Sequence, residues 1–223
     1  MILRGGRQSL ALVVAAATGC SGDATPAPSA LVDGLPARPP PVTLEGIDGP
    51  TVATRARVLG RDSFAPGSRT ARCVGSSVAP GTVVVERIGV SGASLTILGS
   101  RGRELRGCDA TGVRAANGPA WCGHAFARLH GGRLRDPRLS LSCHGVDDEP
   151  LGFAWIRPGA EASYVVIARP GYDEVYPVTG HLPVRATTDD VDLALSSASF
   201  AVSEHARDGR RLRSYELEAR VSG

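Results

Sequence analysis

Apolar and polar residues alternate along most of the chain after residue 80, which is the period of strands with one buried face. Leu139, Leu141 and Cys143 alternate with polar residues, and the same alternation recurs in 198–203 and 213–221. The pattern predicts strands over 82–90, 94–98, 103–108, 124–129, 138–143, 151–157, 162–168, 172–178, 182–187, 198–203 and 213–221.

Glycine-containing turns separate these segments, and no long helix is predicted. The stretch 213–221 would also suit a helix, but the Asp208-Gly209 pair before it favours a hairpin with 198–203. The prediction is an all-β fold, namely an antiparallel sandwich that is cross-linked by disulfides. A faint internal similarity leaves open two tandem small β-units, 46–150 and 151–223, in place of one continuous domain.

The N-terminus has the layout of a secretory signal. Residues 1–7 carry Arg4 and Arg7 and no acid, 9–17 are mostly apolar, and small residues precede Cys20. The apolar run is too short to span a membrane, so residues 1–19 are predicted to be a signal peptide.

The stretch Ala16-Ala17-Thr18-Gly19-Cys20 resembles the lipobox of bacterial lipoproteins, with Ala17 where leucine is usual. The resemblance implies that the Cys20 sulfur receives a diacylglyceryl group carrying fatty-acyl chains such as palmitate. It also implies that cleavage makes Cys20 the first residue. The protein would then be held at the cell membrane and face outside the cytoplasm. An ordinary secretory signal is the alternative.

Residues 20–45 are rich in proline and poor in large apolar residues, which is typical of a disordered tether. We expect this segment to space the β-domain from a lipid anchor.

The chain has five cysteines, and lipid on Cys20 would leave an even set for two disulfides in an oxidising compartment. Four cysteines allow three pairings, which the sequence cannot separate. We favour Cys108–Cys122, which closes a short loop, together with Cys73–Cys143.

Charge argues against nucleic acid as a partner. Removing residues 1–19 lowers the formal net charge of +3 by two, to +1, and no basic patch is evident along the sequence.

Thiols and imidazoles are neighbours at Cys122-Gly-His124 and Cys143-His144, and such ligands suit zinc. A zinc site built from Cys122, His124 and Cys143 in the reduced protein is therefore an alternative to the disulfides. The paired spacing of a structural zinc site is missing, so no metal and no cofactor is predicted.

No catalytic residue is predicted. Gly89-Val-Ser91-Gly92 lacks the spacing of a nucleophile turn. His181 and His205 would need an acid partner for a catalytic triad, and the spacing specifies none of the candidates Asp189, Asp190 and Asp192.

Taken together, the sequence predicts a cell-envelope lipoprotein whose β-domain has a non-catalytic binding or structural role. Its partners would be the membrane, through the lipid, and an envelope protein or cell-wall component. The alternative is a secreted hydrolase or peptidoglycan-active enzyme that uses His124, His144 or His181.

Overall fold

The computed structural model describes residues 31–32, 35–36, 41–60, 64, 69–74, 79–111, 120–130, 133–134, 138–144, 150–180 and 182–221. The predicted signal peptide, Cys20 and most of the predicted tether lie outside these residues.

The described chain is almost entirely β-strand. Its elements are β1 (Leu31–Val32), β2 (Leu35–Pro36), β3 (Thr51–Ala53), β4 (Arg55–Val58), α1 (Arg69–Val74), β5 (Val83–Ile88), β6 (Gly92–Leu98), β7 (Glu104–Thr111), β8 (Ala120–His130), β9 (Arg133–Leu134), β10 (Arg138–His144), β11 (Pro150–Ile156), β12 (Tyr164–Arg169), β13 (Tyr172–Pro177), β14 (Val184–Thr188), β15 (Ser197–His205) and β16 (Arg211–Val221).

The predicted all-β class is confirmed, and every predicted strand is present within β5–β8 or β10–β16. The predicted hairpin is also present: β15 and β16 pair antiparallel, and Gly209 between them has φ 92°. The elements that the pattern did not predict, β1–β4, β9 and α1, are too short to establish a period.

Two sheets carry the core. One has eight strands in the order β14-β11-β10-β16-β15-β12-β13-β3, and the other has six in the order β4-β5-β6-β7-β8-β9. The eight-stranded sheet curls so that β13 approaches β14, where the Tyr176 hydroxyl accepts a hydrogen bond from Thr187 N at 3.3 Å. Its concave face is filled by apolar side chains that include Ile156, Val165 and Phe200.

Strand β11 is buried on both faces, which explains its near-continuous apolar sequence. Ala154 and Ile156 point into the curled sheet. On the other face, Trp155 packs with Leu105 of β7, so β11 lies between the two sheets.

An ion pair without solvent contact joins the sheets. Arg185 of β14 donates to both carboxylate oxygens of Asp109 of β7, at 3.0 and 2.6 Å, and both side chains are fully buried. The guanidinium also lies over the Trp155 ring, 4.3 Å from its centroid. Ser140 of β10 donates a further hydrogen bond to Asp109 at 3.0 Å.

The disulfide pairing differs from the one we favoured. Cys73 of α1 is bonded to Cys108 of β7, and Cys122 of β8 is bonded to Cys143 of β10. The favoured pairing is wrong because Cys73 packs beside Cys108 and not beside Cys143. Cys108 lies on the face of the six-stranded sheet with Cys73 and Leu95, whereas Cys143 lies in another cluster.

A change of register between β7 and β8 also separates Cys108 from Cys122. Cys108 is opposite His124 in the β7–β8 ladder, and a bulge next to Asp109 removes Cys122 from that ladder. The short loop between Cys108 and Cys122 therefore does not bring these two residues into register.

The folded body extends beyond the expected boundaries. Leu44, assigned to the tether by composition, is 3% exposed and packs against Val166 and Val175. Residue 150 does not separate two sheets, because β3 and β10 precede it and belong to the eight-stranded sheet. Within the described chain, no helix has the length and apolar character needed to cross a membrane.

Candidate binding surface

Strand β8 presents a row of large polar and aromatic side chains to solvent. His124, Phe126, Arg128 and His130 follow a period of two and are all exposed, Phe126 by 59%. The residues between them are small or apolar and face the other sheet, with Leu129 buried.

Strand β7 adds a second row on the same face. Arg106 is opposite Phe126 in the ladder, and its guanidinium lies over the Phe126 ring at 5.8 Å from the centroid. Glu104 is opposite Arg128 in the ladder and adds a carboxylate to this surface. We call His124, Phe126, Arg128, His130 and Arg106 the basic strip.

The strip ends at an open cavity of about 970 Å³. The β6–β7 turn contributes the exposed side chains of Arg101 and Arg103, which line this cavity with Arg128 and His130. Among the described residues, no carboxylate lies within ion-pair distance of these three arginines.

Guanidinium groups without intramolecular partners are free to bind carboxylate or phosphate in bidentate fashion. An exposed phenylalanine among them adds apolar contact area of the kind found at interfaces. The arrangement is chemically suited to binding an anionic partner.

One of the two histidines in the strip, His124, lies beside a disulfide. His124 Nδ1 is 3.5 Å from Cys108 Sγ, and Cys73 Sγ belongs to the same cluster. The alternative of a zinc site at Cys122, His124 and Cys143 is contradicted. Cys122 and Cys143 are bonded to each other, and His124 contacts Cys108. Disulfide sulfurs are also not the thiolates that zinc requires.

The other residues considered for catalysis do not converge. The Nε2 and Nδ1 atoms of His205 form hydrogen bonds with Ser203 Oγ and Gly209 O, respectively. No acid from 189–192 therefore pairs with this ring. His181 and the His144 side chain lie outside the described residues.

A second polar cluster is built around Glu174, which is fully buried on β13. Its carboxylate accepts hydrogen bonds from Tyr176 at 2.7 Å and Arg169 at 3.2 Å. Burial and the nearby Glu174 charge raise the pKa of Tyr176 well above its ordinary value. Burial lowers the pKa of Arg87, which lies over the Tyr176 ring, to about 10. These groups are buried and offer no access to a ligand.

The chain matches no protein-family model, no curated protein and no solved structure.

Sequence reasoning missed the basic strip because net charge averages over the whole surface. The signal was present in 123–130, where small or apolar residues alternate with His124, Phe126, Arg128 and His130. An alternation of this kind places all four side chains on one face once the segment is a strand.

Proposed function

We propose that this protein is a cell-envelope lipoprotein, anchored by a diacylglyceryl group on Cys20 and facing outside the cytoplasm. Its β-domain serves as a binding module, and the basic strip is a binding surface and not a catalytic site. The basic strip binds an anionic polymer of the cell wall.

The observation that carries the binding role is the strip itself. Arginines without ion-pair partners surround an exposed phenylalanine on a rigid sheet, so binding an anion requires little rearrangement. The lipobox resemblance at Ala16–Cys20 and the proline-rich tether support placement beside the cell wall.

The enzymatic alternative receives no support from His124. Within the described part of the chain, His124 is opposite Cys108 in the ladder and its Nδ1 contacts Sγ of the Cys73–Cys108 disulfide, so these contacts include no acid. A general base needs a reactive group within hydrogen-bond reach, and the disulfide offers none.

The test is co-sedimentation of detergent-solubilised protein with polyphosphate-coated beads, with neutral dextran beads as background. Arg128→Ala removes one charge from the strip, and Arg210→Ala removes one from an exposed turn outside it. We expect Arg128→Ala to weaken binding about fivefold, which corresponds to about 1 kcal/mol, and Arg210→Ala to have little effect.

Added salt should weaken binding by the wild-type protein, because exposed charges are screened within about 10 Å at moderate ionic strength. Equal affinities of the two variants, or binding that is insensitive to salt, would contradict the proposal.

A further inference from the structure

Ser203 and His205 form a hydrogen-bonded pair on β15, far along the chain from the basic strip. They are two residues apart and therefore share the convex face of the curled sheet. Ser203 Oγ lies 2.9 Å from His205 Nε2. The imidazole is fully buried, and the serine is partly exposed.

The partners of the ring fix its tautomer. His205 Nδ1 lies 3.1 Å from the carbonyl oxygen of Gly209, which can only accept a hydrogen bond. Nδ1 of the neutral ring therefore carries the proton, and Nε2 is an acceptor. It follows that the Ser203 hydroxyl donates its hydrogen bond to Nε2.

The carbonyl that orients the ring is itself held in place. Gly209 O also accepts a hydrogen bond from Glu45 N at 2.9 Å, and Gly209 N donates to Ala206 O at 3.0 Å. The Glu45 side chain bonds to Arg211 N at 3.0 Å, which fixes the segment before β3 to the β15–β16 hairpin. The base is thus oriented by a third group, as a catalytic imidazole requires.

A groove gives access to the serine. It has a volume of about 500 Å³, and its lining includes Ser203, Arg211, Ile47, Val166 and Ala168. The Arg211 guanidinium lies against Gly46 at the groove, where an added Cβ would be 2.7 Å from Nη1. The Arg211 side chain is exposed at this groove, and a cation close to a nucleophile can stabilise the oxyanion of acyl transfer.

We propose that Ser203 is a nucleophile, with His205 as its general base, and that the groove hydrolyses short acyl esters. This activity goes beyond the proposed binding role and uses a different sheet. The apolar lining from Ile47, Val166 and Ala168 would contact the acyl chain, and Arg211 would face the developing negative charge.

The reaction balances with water as the co-substrate. Ser203 Oγ bonds to the ester carbonyl carbon, its proton passes to His205 Nε2, and Nε2 returns that proton to the departing alcohol. Water then attacks the acyl-serine, gives one proton to Nε2, and releases the carboxylic acid while Ser203 recovers its hydroxyl.

The test combines covalent labelling with turnover. A fluorophosphonate reagent should form a phosphorus–oxygen bond at Ser203 with loss of fluoride, and peptide mass spectrometry should locate this adduct. The purified protein should also hydrolyse p-nitrophenyl acetate. Ser203→Ala should remove the adduct and lower the rate about 100-fold or more.

Ser199→Ala is the matched control. Ser199 lies on the same strand and face, is more exposed than Ser203, and has no imidazole partner. We expect this variant to keep the adduct and the rate. A wild-type protein that is not labelled at Ser203, or a Ser203→Ala variant with the wild-type rate, would overturn the proposal.

Circular dichroism of each variant separates loss of activity from loss of fold. The arginine variants of the basic strip should keep the Ser203 adduct, so failure of the binding proposal and failure of this one are distinguishable.

Discussion

Asp109 and Arg185 meet at the boundary between the two sheets, where neither side chain reaches solvent. Two hydrogen bonds within the pair and one from Ser140 compensate the carboxylate for its lost water. The Trp155 ring covers one face of the guanidinium. Such a pair contributes little by itself, but removing one partner leaves a buried charge without compensation.

Asp109→Ala should therefore lower the free energy of unfolding by about 3–5 kcal/mol, measured by urea denaturation. Glu218→Ala, which breaks the exposed pair with Arg220, should cost at most about 1 kcal/mol. Similar losses in the two variants would show that the interior pair is not desolvated as described.

No pattern in the sequence predicted that Asp109 and Arg185 form an ion pair. Asp109 precedes a stretch of small residues, and Arg185 alternates with Val184 and Ala186 as an ordinary solvent-facing residue of a strand would. The two residues are 76 positions apart, and only the packing of the two sheets makes them partners.

At the scale of elements, strand alternation determines which cysteines can meet. Cys108 shares its face of the six-stranded sheet with Leu95 and Ile97, and α1 brings Cys73 to that face. Cys122 leaves the β7–β8 ladder at a bulge and reaches Cys143 on the neighbouring sheet. One disulfide therefore fixes a helix to a sheet, and the other joins the two sheets.

Peptide mapping without reduction should recover Cys73 linked to Cys108 and Cys122 linked to Cys143. Replacing Cys73 and Cys108 together by serine should lower the free energy of unfolding by about 3–4 kcal/mol, because the bridge closes a long loop of the unfolded chain. A peptide joining Cys108 to Cys122 would contradict this pairing.

The double replacement of Cys122 and Cys143 is the matched control, since it removes a bridge of shorter separation, 21 residues against 35. On loop length alone it should cost slightly less. Only the replacement of Cys73 and Cys108 should release α1 from its sheet, which limited proteolysis within 69–74 would detect.

At the scale of the whole molecule, the proposed anchor decides where the β-domain works. A single acyl chain holds a protein at a membrane only marginally, whereas two chains give stable attachment. The proline-rich segment before residue 41 would then separate the folded body from the lipid, so that the basic strip can meet a cell-wall polymer.

Mass spectrometry of protein produced in a bacterial host should show loss of residues 1–19 and a diacylglyceryl mass on Cys20. Cys20→Ala should lose both changes and leave the membrane fraction, whereas Ser21→Ala should keep them. Recovery of the wild-type chain with residues 1–19 intact and no lipid would contradict the anchor.

The sequence by itself determined the all-β class and the strands β5–β8 and β10–β16, because these segments either alternate apolar and polar residues or form short apolar runs between glycine-containing turns. It also indicated that Cys73, Cys108, Cys122 and Cys143 pair among themselves, although not in which combination. Local pattern suffices for these features, since a strand expresses its buried face in its own residues.

The tertiary structure decided which strands are neighbours, which faces meet and which distant side chains touch. It brought Arg101 and Arg103 to one end of the basic strip, joined Arg185 to Asp109, and bonded Glu45 to the Gly209 carbonyl that holds the His205 ring. Contacts of this kind join positions far apart along the chain, and their energies depend on burial that exists only after the sheets have packed.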